Sequence, residues 1–188
     1  TDLNVLNILH LIENQDSFMF KIRSRSNVGK SPKRHFTDPS LGCAALNITP
    51  EKLMNDLNTF GLYFEALCER DLRIYAQNIG AKLYHYRDNV SGLEIDSIIE
   101  LSDGEYGAIE IKLGSNMEEE AADNLKKFYN LAEVKPKFMC IICGLYNAVV
   151  KRKDGIYVLP ITAVEWNVMA SSSDSEDDSF MAVDQEET

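Results

Sequence analysis

A chain of 188 residues, 45% hydrophobic and 26% charged, has enough apolar side chains to bury one core of ordinary size. No run approaches the roughly 20 consecutive apolar residues of a membrane-spanning helix, and no secretory leader pattern opens the sequence. The net charge of −11 is concentrated at one end: Asp174, Glu176, Asp177, Asp178, Asp184, Glu186 and Glu187 lie in residues 171–188 without any Lys or Arg, and removing those seven acids leaves −4. Bulk charge therefore does not exclude an anionic partner.

Taken in chain order, Thr1 to Leu11 reads as a helix that enters at once on Leu3, Val5, Leu6, Ile8 and Leu9, as a piece cut from a longer unit would. Phe18 to Ile22 reads as a short strand. Lys21, Arg23, Arg25, Lys30, Lys33 and Arg34 then follow with no acid among them, a set suited to salt-sensitive contacts with phosphates; the alternative is a solvated basic loop. Arg34 to Pro39 ends in a turn, and Leu41 to Leu46 forms a short helix. Thr49 caps a helix that has Pro50 at its first position. Asn58 to Gly61 is expected to interrupt that helical run, leaving a longer helix from Gly61 to Asn78, closed by Gly80.

Three strands are expected next, at Lys82–Tyr86, Leu93–Leu101 and Tyr106–Leu113, joined by turns at Asn89–Gly92 and Ser102–Gly104. Met117 to Glu133 returns to helical spacing, with Glu118, Glu119 and Glu120 in the first turn, where the helix dipole favours acids. Phe138–Cys143 is a buried strand, and Gly155–Pro160 supplies a last edge strand, whose edge near Tyr157 is a candidate surface for self-association. The order predicts an α/β fold with a mixed sheet. Ser171–Asp178 has too little apolar surface to order itself, and Phe180, Met181 and Val183 are a candidate docking motif beyond it.

Four cysteines, Cys43, Cys68, Cys140 and Cys143, are too scattered for a disulfide framework, which points to a reducing, cytoplasmic setting. Cys140 and Cys143 stand in a strand, where positions three apart face opposite ways, so their spacing is not that of a zinc pair. His10, His35 and His85 are scattered singles without an evident ligand set, and His85 is expected on the sheet surface.

The chemistry-bearing pattern lies in the second and third strands. Asp96 stands among Ile95, Ile98 and Ile99, while Glu110 and Lys112 flank Ile111. An unpaired charge in an apolar sheet costs several kcal/mol, roughly, unless it finds a partner or a metal. Glu110 and Lys112 share a side of their strand, and an antiparallel neighbour can bring Asp96 beside Glu110. Two carboxylates with the backbone carbonyl of Ile111 form a hard oxygen set that suits Mg²⁺ or Mn²⁺. Lys112 is then placed to orient a water or stabilise a phosphate oxygen, with Glu65 on the preceding helix in support. Two blander readings stand beside this one: a structural Asp96–Lys112 salt bridge, and the ordinary alternation of a sheet with one solvated face.

Glu65, Asp96, Glu110 and Lys112, in the order helix, strand, strand, resemble the PD-(D/E)XK signature of restriction endonucleases and Holliday-junction resolvases. More broadly, Ser31–Ser40, Asn58–Leu67, Tyr84–Asp88 and Ile109–Gly114 resemble the C-terminal domain of prokaryotic AAA-type ATPases, in which an ATPase domain and a winged helix precede a nuclease-like domain. The resemblance implies a restriction-endonuclease-like mixed sheet flanked by helices over residues 51–165. Residues 1–20 would be the end of a winged helix, 21–50 a basic linker and turn region, and 166–188 a disordered acidic tail. It implies a Mg-dependent nuclease acting on nucleic acid, DNA foremost, within a larger ATPase, or else an inactive DNA-binding, docking or assembly module of that ATPase. ATP is not expected to bind this chain: Ser24 to Ser31 ends in Gly-Lys-Ser, but it lacks the leading glycine of a P-loop and Pro32 follows where a helix should run.

Overall fold

A six-stranded mixed sheet organises the computed structural model, which describes residues 2–20 and 31–164, with side chains from Val5 onward. The elements are α1 (Asp2–Ile8), β1 (Ile12–Gln15), β2 (Lys33–Phe36), α2 (Pro39–Ala45), α3 (Pro50–Asn55), α4 (Leu57–Asn78), β3 (Lys82–Arg87), β4 (Glu94–Glu100), β5 (Tyr106–Lys112), α5 (Glu118–Leu131), β6 (Phe138–Cys143), β7 (Val150–Lys151) and β8 (Tyr157–Leu159). The large sheet runs β3-β4-β5-β6-β8-β7, and β1 and β2 form a separate antiparallel ribbon. The pairs β3–β4, β4–β5 and β7–β8 are antiparallel, whereas β5–β6 and β6–β8 are parallel. A parallel pair needs a long crossover, and α5 supplies the one between β5 and β6.

Both faces of the sheet are covered. On one, the four-residue stripe Phe64, Cys68, Leu72 and Ala76 of α4 packs on Ile99, Ile109, Ile111, Cys140 and Ile142. On the other, Ala121, Ala122, Leu125 and Phe128 of α5 pack on Ile98, Ala108, Ile141, Cys143 and Val158. Burial from two sides explains why β5 and β6 read as nearly continuous apolar runs. Cys140 and Cys143 fall in opposite clusters, as their spacing predicts.

The helix starts follow their caps. Asp38 accepts from Ser40 N ahead of α2, Thr49 from Lys52 N ahead of α3, and Asp56 from Thr59 N ahead of α4. The last of these corrects the expected break at Asn58–Gly61: the interruption falls at Asp56, and Gly61 sits inside an unbroken helix of 22 residues. Gly80 takes φ 69° just beyond that helix, the left-handed conformation that ends it.

Other expectations fail at the N-terminal end and the sheet edges. The strand there is Ile12–Gln15, paired with Lys33–Phe36, whereas Phe18 lies outside any strand and inserts into the α5-side core at 3% exposure. The segment instead closes an edge. His85 N donates to Asp16 O at 3.0 Å and Phe18 N donates to His85 O at 2.6 Å, taking up the outward groups of edge strand β3. His85 is accordingly buried rather than on the sheet surface. Strand β8 is not an edge either: β7 covers it, so Tyr157 does not offer a free strand for self-association. No helix among the described residues is long and apolar enough to cross a membrane. The acidic tail, Phe180, Met181, Val183 and Ser24 to Lys30 lie outside the described residues.

Gly107 on β5 lies beside Phe138 on β6, and a Cβ there would clash with the outer edge of the phenyl ring. Gly107→Val should destabilise the fold by about 1–3 kcal/mol through overpacking, read as a lowered urea midpoint, with Phe138→Leu restoring part of the loss.

Candidate functional site

The paired ladder of β4 and β5 runs from Glu100↔Tyr106 to Ser97↔Ile109, and the next step would set Asp96 opposite Glu110. There the carboxylate of Asp96 does what a backbone carbonyl does elsewhere: Oδ2 accepts from Ile111 N at 2.8 Å. The same oxygen receives Lys112 Nζ at 3.3 Å. Lys112 Nζ also forms an ion pair with Glu110 Oε2 at 2.6 Å. A bulge in β4 accompanies this arrangement. Tyr86 pairs with Ile95 and Tyr84 with Ile98, so Asp96 and Ser97 together face His85. Such extra residues re-aim a side chain and end regular pairing.

Helix α4 brings two more carboxylates. Glu65 and Glu69, four residues apart, share a helix face beside the buried stripe. Lys33 of β2 forms an ion pair with Glu65 and lies 3.0 Å from Glu69 Oε1. His35, two residues along the same strand and on the same side, places Nδ1 2.5 Å from Glu69 Oε2. Its Nε2 lies 3.0 Å from Gln15 Oε1. Gln15 Nε2 donates to Tyr84 O at 2.9 Å and Asp96 O at 3.5 Å, so its amide oxygen is the atom left to face the ring. Both ring nitrogens thus lie beside side-chain oxygens. Glu69 is fully buried, and Gln15 and His35 nearly so.

The charges act on one another. Burial, then the Asp96 carboxylate, push Glu110 up to about 8, against the pull of Lys112. Burial and Asp96 likewise raise Glu65 above the usual carboxylate range, with Lys33 opposing. Lys112 loses solvation yet is held above the usual lysine range by Asp96 and Glu110; Lys33 is treated the same way by Glu69, Glu65 and Asp96. The four predicted side chains Glu65, Asp96, Glu110 and Lys112 are therefore one electrostatic unit.

Ile111 contributes its amide hydrogen to Asp96, while its side chain belongs to the α4-side core. Of the basic set expected to meet nucleic acid, Lys21, Arg23, Arg25 and Lys30 lie outside the described residues, and Arg34 is exposed on β2. Lys33 departs from that expectation: two glutamates turn its ammonium inward. His35 departs from its expected lack of partners, and Gln15 and Glu69 were not anticipated at all. The available signals were the four-residue spacing of Glu65 and Glu69 and the strand alternation of Lys33 and His35.

Asp96 and Glu110 offer oxygen donors only, the ligand chemistry that a hard cation takes. In this structure the carboxylates converge on ammonium groups, and no group of three or more His, Cys, Asp or Glu among the described residues is gathered as a metal cage.

The elevated Glu110 has a consequence for stability. The folded chain keeps this proton up to about 8, whereas the unfolded chain releases it near the ordinary value of 4.5. Across that window the unfolded state binds fewer protons, so this contribution is full below the lower value and lost as pH rises through the upper one. In chelator-treated protein, Glu110→Gln should flatten the fall in urea stability between pH 5 and 8, and the gain over the parent should be greatest at pH 8.

No curated protein and no solved structure matches the chain. A family model described as a domain of unknown function, DUF4143, matches residues 60–164. The matched stretch contains Glu65, Glu69, Asp96, Glu110 and Lys112 but not Gln15, Lys33 or His35. With more than half of its length matched, the chain belongs to this family of domains of unknown function, DUF4143.

Proposed function

We propose that the chain is the nuclease-like part of a larger AAA-type ATPase and hydrolyses phosphodiester bonds in nucleic acid, with DNA as the expected substrate. What supports this reading is the meeting of Asp96, Glu110 and Lys112 at the end of the β4–β5 ladder, with Glu65 from α4 within electrostatic reach. A restriction-endonuclease-like strand arrangement, and a winged-helix origin for residues 1–20, belong to the same proposal.

Asp96 and Glu110 would hold Mg²⁺ or Mn²⁺, with the carbonyl of Ile111 as a third oxygen and Glu65 in support. When bound, such a cation polarises a phosphoryl oxygen and makes a water a better nucleophile. Lys112 would orient that water and stabilise the charge that develops on the phosphate. Ile111 N keeps Asp96 Oδ2 in place, which leaves the carboxylate positioned without the help of Lys112. Arg34, with Lys21, Arg23, Arg25 and Lys30, would contact the nucleic-acid backbone.

A second reading also has an observation behind it. Every carboxylate of the cluster already faces an ammonium or an imidazole, which is what a closed structural network in a DNA-binding, docking or assembly module would show. The two part on one experiment, Mg²⁺- or Mn²⁺-dependent cleavage of a mixed DNA panel by the parent, Asp96→Asn and Lys112→Ala. The nuclease reading expects a folded Asp96→Asn with cleavage lost, and a loss of about 100-fold or more for Lys112→Ala. A parent that cuts nothing, with Asp96→Asn less stable by about 3 kcal/mol, would establish the structural role instead.

A further inference from the structure

The cation nearest Glu65 is Lys33, which comes from the N-terminal ribbon and from outside the family match. Its position is imposed by its strand. His35, on the same side of β2, is tied to Glu69 and to Gln15, and Gln15 is tied in turn to the backbone of Tyr84 and Asp96. With β2 anchored in this way, the Lys33 side chain reaches over α4 to its two glutamates. These are unequal partners. Glu69 is fully buried and has His35 as a second contact, whereas the Glu65 side chain is 24% exposed and within electrostatic reach of Asp96 and Glu110.

We propose that Lys33 is the resident counter-ion of the acidic site, competing with a divalent cation for Glu65 and withdrawing to Glu69 when that cation seats. The proposal rests on the metal-binding reading of Asp96 and Glu110. A single lysine between two glutamates one helical turn apart can give up the exposed one and keep the buried one, so the exchange needs no movement of β2. It also accounts for why this lysine is drawn inward while Arg34 beside it faces solvent.

The test is calorimetric titration of Mn²⁺ into the full chain, with no substrate present. Lys33→Met should bind Mn²⁺ about tenfold more tightly than the parent, because a competing positive charge next to the site is gone. Lys33→Arg should stay close to the parent, and Asp96→Asn should bind more weakly. Unchanged or weaker binding by Lys33→Met, with Asp96→Asn still weakened, would overturn the role of Lys33 and leave the metal site standing. Unchanged binding by Asp96→Asn would remove the metal site and this inference with it. Should Lys33→Met not fold, the parent decides: Mg²⁺ should shift the Lys33 ammonium resonance, and a signal unmoved at saturation refutes the exchange.

Discussion

The carboxylate of Asp96, caught between Ile111 N and Lys112 Nζ, is the contact on which the rest of the site depends. It ends the β4–β5 ladder by replacing a backbone acceptor with a charged one. Lys112 is thereby drawn back along its own strand, where it also meets Glu110. Without that anchor Glu110, 1% exposed, would face the interior with no counter-charge near it. Taking ions out of water costs several kcal/mol each, roughly, and mutual attraction repays this only where geometry is good. Replacing such groups by apolar ones is often neutral or favourable, so stability alone is a poor reason for this fold to keep four carboxylates around two lysines.

The backbone explains how the groups come to meet. Sheet and helix alone would bring only β4, β5 and α4 to one place. The bulge at Asp96 and Ser97 shifts the pleat of β4 relative to β3, and the segment after β1 is laid along the outer side of β3 at His85. Gln15 then spans both features, its amide reaching the carbonyls of Tyr84 and Asp96. The ribbon is thus joined to the sheet at the strands that carry the site, not merely packed beside it.

What could be read in advance divides along the same line. Charged groups in strands otherwise rich in isoleucine stand out locally, so Asp96, Glu110 and Lys112 could each be singled out from their own strand. Strands β3 to β6 and helix α5 were legible because their pattern is local. Lys33, His35 and Gln15 carry no such signal. Gln15 meets Tyr84 and Asp96 across 69 and 81 residues, and a lysine in a basic run looks solvated until the glutamates that claim it are in place. Gly61 misled in the other direction: the cap at Asp56 decided where α4 began, and a single glycine, on a side of the helix where a Cβ would meet no neighbour, is tolerated inside a long helix. Tyr157 misled because the short pairing of β7 on β8 depends on a return of the chain that local pattern does not encode.

Charge balance separates the two parts of the chain. The stretch matched by the family supplies Glu65, Glu69, Asp96 and Glu110 with Lys112 as their internal cation; the ribbon adds the ammonium of Lys33 and sets the His35 ring against Glu69. The matched stretch taken alone would leave a surplus of buried negative charge, a condition met only by protonation or by a cation from elsewhere. The raised Glu110 and Glu65 are what remains of that surplus after Lys33 and Lys112 have acted. The field felt by anything that enters the site is therefore set jointly by the sheet and by a strand more than twenty residues upstream of the family match. A change in how β1 and β2 sit on β3 would alter that field without any substitution in β4 or β5.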